Sequence, residues 1–132
     1  MSRIGSKYVA NLAALLGLIP ILCAVELSAQ VAVIAHPDIR EATLDKGELM
    51  DLYTRDVRAW HDGTPVVLFD LKEEGEVREA FYSFLGIRPS RMKSIWLKRL
   101  YAGEGQPPTA LDSQLGVVER VGRTRGGLGF VD

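Results

Sequence analysis

Residues 8–25 of this chain, YVANLAALLGLIPILCAV, carry no charge and are mostly apolar. What the rest can fold into depends first on whether this run stays attached. Arg3 and Lys7 precede it, and Glu26-Leu27-Ser28-Ala29 follows, with small residues just before Gln30. Positive, apolar and small-residue segments in that order read as a secretory signal peptide. Cleavage after Ala29 leaves Gln30 to Asp132, 103 of the 132 residues, as one domain. The rival reading is a retained membrane anchor, because 18 residues is where a spanning helix begins to qualify. Gly17 and Pro20 interrupt the run and a cleavage site follows at once, so export to the periplasm is the expectation. Lipoprotein processing at Cys23 would need a small residue where Leu22 stands.

Cys23 is the only cysteine, so a cleaved chain has neither disulfide, thiolate nucleophile nor Cys-based metal site. Such a domain must be held by its apolar core, and at this length it can be. The hydrophobic content of 47% suits that role and excludes a disordered chain. Without the leader there are 14 basic and 16 acidic side chains. A mildly acidic chain has no overall basic field, which argues against a nucleic-acid partner.

Along Gln30–Asp132, strands alternate with helical stripes, which predicts an α/β layer structure. Val31–Ala35 (VAVIA), stopped by His36-Pro37, reads as a buried strand, as does Val66–Phe69 (VVLF). Asp45 with Glu48 forms a capping box for a first helix through about Thr54. A second helix spans Glu74 to Leu85, with Val77, Phe81, Phe84 and Leu85 inward and Gly86 at its C′ position. A third opens at Ser90 and carries Met92, Ile95, Trp96 and Leu100 inward. A fourth opens at Ser113 with Val117, Val118 and Val121 inward. Trp60–Pro65 is turn chemistry, and Gly126-Gly127 turns the chain into a last strand, Leu128–Val131.

Candidate chemistry is sparse. His36 and His61 are the only histidines and lack the i, i+4 spacing of a metal pair, so no metal or cofactor is expected. No G-x-S-x-G is present. Glu73, Glu74 and Glu76 cluster at a helix start, where the macrodipole favours negative charge without any catalytic role. Arg88, Arg91, Lys93, Lys98 and Arg99 around the third helix read as a solvated face. No enzyme is expected.

The order of pieces resembles a known family. Val31-Ala-Val-Ile-Ala-His-Pro, the Leu44, Leu49 and Tyr53 stripe, and Trp60-x-Asp62-Gly63-Thr64-Pro65 are similar to the phosphate-type substrate-binding proteins of ABC transporters. So are Arg78-Glu79-Ala80-Phe81-Tyr82, Tyr101-x-Gly103-x-Gly105-x-Pro107-Pro108 and Gly127-Leu128-Gly129-Phe130-Val131. The resemblance implies a single lobe of a type II periplasmic-binding-protein-like α/β fold, with short strands and about four helices. It implies a solute-binding role in anion (phosphate) uptake, or an accessory one. The family coordinates its anion with an Arg after the second strand and Ser-Gly-Thr at the next helix start. Here only Gly75 matches; Glu74 and Glu76 take the Ser and Thr positions, and Asp70 lies close to the Arg position. Two carboxylates at ~4 Å would each oppose an anion by a few kcal/mol, against roughly 8 kcal/mol for micromolar affinity. The expected ligand site is the His36 loop facing Gly75, Glu76 and Val77, with Arg78 the nearest basic group. The alternative is an interaction module without a small ligand. It would present an open apolar face to an envelope or transporter partner, or to a second copy as a homodimer.

Overall fold

A computed structural model describes residues 30–41 and 43–132; the expected leader lies outside them. Four strands and four helices follow one another as β1 (Ala32–Ala35), α1 (Lys46–Tyr53), β2 (Val67–Leu71), α2 (Glu76–Leu85), α3 (Pro89–Tyr101), β3 (Thr109–Leu111), α4 (Gln114–Arg123) and β4 (Gly127–Val131). The expected α/β class with four helices is what the chain adopts. The sheet order is β1-β4-β2-β3, with β2 parallel to both β3 and β4 and β1 antiparallel to β4. Among the described residues no helix is long and apolar enough to cross a membrane.

Alternation along β2 and β4 divides the core into two. Leu68, Leu128 and Phe130 face α1, α2 and α3, where Tyr53, Phe81, Tyr82, Met92 and Trp96 are buried. Phe81 stacks on Phe130 at 3.9 Å between ring centres. On the other face Phe69 meets only α4, through Val117 and Val121. Gly129 makes that approach possible, since a Cβ there would sit 2.6 Å from Val117 Cγ1. Arg55 ties the layers together at one corner, its guanidinium donating to the carbonyls of Val66 (2.9 Å) and Gln106 (3.1 Å).

Local chemistry explains the helix ends. Asp45 Oδ1 accepts from Glu48 N (2.8 Å) and Glu48 Oε2 from Asp45 N (2.9 Å), the reciprocal box expected for α1. Ser113 Oγ accepts from Gly116 N (3.0 Å) at α4. The third helix starts earlier than the Ser90 cap implies. Pro89 occupies its first turn, where a missing N–H costs nothing and φ is already helical, and Arg88 before it is extended.

Three expectations are corrected. β1 is an edge strand, largely exposed, although its unbroken apolar run suggested burial on both faces. Phe84 and Val118 were expected inward, yet stand 55% and 48% exposed. Phe84 instead lines an open groove beside β1. β3 went unread because three residues, Thr109-Ala110-Leu111, are too few to show a period.

Candidate functional site

The expected site divides between opposite ends of the sheet. Because β1 runs antiparallel to β4, Ala35 pairs with Leu128 and His36 N donates to Gly127 O (2.9 Å). His36 therefore lies level with the start of β2, whereas Gly75, Glu76, Val77 and Arg78 lie beyond its end. The His36 loop does not face the helix start, and that part of the expected site is overturned by strand direction. The Nδ1 of His36 accepts from the Asp38 backbone N–H (3.1 Å).

Gly75–Arg78 do come together, at a place where α/β proteins form crevices. β2 leads into α2 on one face and β3 into α4 on the other, so two neighbouring parallel strands diverge at their carboxyl ends. The crevice between them measures about 470 Å³. Gly75 caps α2 without any side-chain acceptor, so the first-turn N–H groups open towards this space. Its wall is acidic: Glu73, Glu74, Glu76, Asp112 and Asp132 all line it.

Arg78 is the crevice's basic group, and it is already engaged. Its Nε and Nη2 each lie 3.3 Å from the carboxylate of Asp70, which is buried and also accepts from Tyr82 Oη at 2.8 Å. Burial, then the Asp70 charge, pushes the Tyr82 phenol far above its ordinary range, so it stays a donor. Tyr53, buried and donating to Phe69 O at 2.9 Å, is raised well above the ordinary value for the same leading reason. Asp70 thus stands where the resemblance implied a cation, and it takes up the cation nearby. A carboxylate inside the apolar VVLFDL run was the sequence signal for this pair, because a buried charge must be matched.

A second concavity was not foreseen. The inner side of β1 is not covered by a helix, and Val31, Val33, Ala35 and Leu128 floor an apolar groove of about 520 Å³ walled by Ala80, Phe81 and Phe84 of α2. Among the described residues no group of three or more His, Cys, Asp or Glu side chains could hold a metal ion.

The chain is therefore a small three-layer α/β domain with an acidic crevice at its strand ends and an open apolar groove along one edge. No family model, curated protein or solved structure matches it.

Proposed function

We propose that this chain is an exported, non-enzymatic binding domain on the single-lobe solute-binding plan, working by protein association through the β1 edge, first with a second copy. The supporting observation is the self-complementary pattern of that edge. Since His36 N bonds to Gly127 O, the alternation of an antiparallel ladder turns the polar groups of Ala32 and Ile34 towards β4. Those of Val31, Val33 and Ala35 then face outward, with no partner among the described residues. An antiparallel second copy centred on Val33 sets Val33 against Val33 and Val31 against Ala35, giving about six hydrogen bonds. The next outward position is Pro37, which has no N–H to leave unpaired. Nothing in Val31–Ala35 carries the charge with which edge strands usually repel each other.

A stable interface needs about 1,200–2,000 Å² in total, more than a strand pair supplies. The two grooves supply the rest, because they meet across the two-fold axis and cover Val33 and Phe84, 39% and 55% exposed. Sedimentation velocity of the purified protein over a wide concentration range tests the reading. A monomer–dimer equilibrium that Val33→Pro and Phe84→Ser each abolish is expected; a monomer at every concentration refutes it.

The uncapped first turn of α2 favours a second reading, phosphate binding in the acidic crevice in support of anion uptake. It predicts saturable heat with phosphate at low salt, and a gain in affinity for Glu74→Ser combined with Glu76→Thr. Silence in both proteins excludes it.

A further inference from the structure

Three turns that neither reading uses meet at the sheet end opposite the acidic crevice. They are the His36–Arg40 loop after β1, the Asp62-Gly63-Thr64 turn before β2 and the Arg125-Gly126 turn before β4. Gly126 and Gly127 hold them together: the Gly126 carbonyl accepts from Trp60 Nε1 and from Val67 N, both at 3.0 Å, and the Gly127 carbonyl from His36 N at 2.9 Å. Between them is a crevice of about 440 Å³ whose polar lining is Asp38, Arg40, Asp62, Thr64 and Arg125.

The charges on this wall are balanced and form no salt bridge with one another, although Arg125 stands near enough to Asp62 to favour its ionised form. Neither Arg40 nor Arg125 forms a salt bridge or side-chain hydrogen bond with another described residue. Asp62 accepts from Thr64 N at Oδ1 (2.9 Å), and the Thr64 backbone and side chain hold its carboxyl below the ordinary range, so it stays ionised. The Asp38 carboxylate is 3.9 Å from a His36 nitrogen that is itself an acceptor, so it gains no cation there. A plain anion would meet two carboxylates, and a plain cation two guanidinium groups. A ligand carrying both charges meets a partner for each.

We infer that this crevice binds the head of a zwitterionic small molecule of the α-amino-acid class. The two guanidinium groups take the carboxylate, with the fork geometry suited to it. Asp38 and Asp62 take the ammonium, and Pro37 and Ile39 give a short side chain an apolar wall. Apart from Pro37, the lining residues belong neither to the β1 edge nor to the α2 start.

Amide NMR titrations of the purified protein with L-alanine, propionate and ethylammonium test it, since each control deletes one charge from the same skeleton. L-Alanine should saturate shifts confined to residues 38–40, 62–64 and 125–127, with both controls at least tenfold weaker. Arg125→Gln, Arg40→Gln and Asp62→Asn, which preserves the acceptor for Thr64, should each weaken L-alanine at least tenfold with the rest of the spectrum unchanged. Equal binding of propionate reduces the site to an anion patch. Absence of saturable shifts, or binding that survives Arg40→Gln with Arg125→Gln, overturns the inference.

Discussion

Gly126→Ala isolates the joint on which one end of the sheet depends. Gly126 has φ of 80°, and a Cβ there would lie 2.1 Å from the Pro65 carbonyl oxygen, a backbone atom that cannot swing aside. The left-handed conformation costs a residue with a Cβ about 1–2 kcal/mol. Relieving the clash requires the 126 carbonyl to move away from Trp60 Nε1 and Val67 N. Each donor left buried without an acceptor costs about 1–3 kcal/mol. Together the loss is about 3–8 kcal/mol, a large share of the stability of a domain of this size. Gly63→Ala is the control: φ is 86° but nothing lies within 4 Å of its Cβ, so only the conformational cost of about 1–2 kcal/mol should appear. Urea unfolding followed by tryptophan fluorescence reads both, Trp60 reporting directly on the joint. If the two variants lose the same stability, contact at Gly126 is not what holds the corner.

Asp70→Asn keeps an acceptor for Tyr82 but leaves Arg78, only 16% exposed in its side chain, without a counter-charge. A loss of about 3 kcal/mol is expected, and Arg78→Met in the same protein should recover part of it in a double-mutant cycle. Asp45→Ala removes one half of the α1 capping box and should cost about 1 kcal/mol in the same unfolding assay. Tyr53 and Tyr82 have phenol pKa values raised above the unfolded value of about 10. Their contribution is therefore fully present below that pH and is lost as pH rises beyond it. The phenolate absorbance of two tyrosines should appear only together with the loss of far-ultraviolet circular dichroism; ionisation of every tyrosine in a folded protein would contradict the burial.

The elements that carried their own punctuation were legible in the sequence. Asp45 with Glu48, Ser113, and Gly86 at φ 77° stand at the ends of helices they were expected to close. Strand placement was not legible, because VAVIA reads the same at an edge as in the middle of a sheet. Its antiparallel direction depends on the Leu128–Val131 segment almost a hundred residues later, and that direction separates His36 from Gly75–Arg78. Phe84 and Val118 fall on the correct helical faces by period, but period does not say how far the opposing layer extends. The Asp70–Arg78–Tyr82 cluster was half visible, its charge in the strand pattern and its partner one helix turn past Gly75.

The strand lying between β1 and β2 is β4, Gly127–Val131, which is made after both of them. Until those residues leave the ribosome, β1 has no neighbour and Leu68 and Phe81 have no Phe130 to pack against. Acquisition of the native sheet consequently waits for the synthesis of β4. The same arrangement makes β4 the least expendable strand, because removing Gly127–Val131 strips the centre of the sheet.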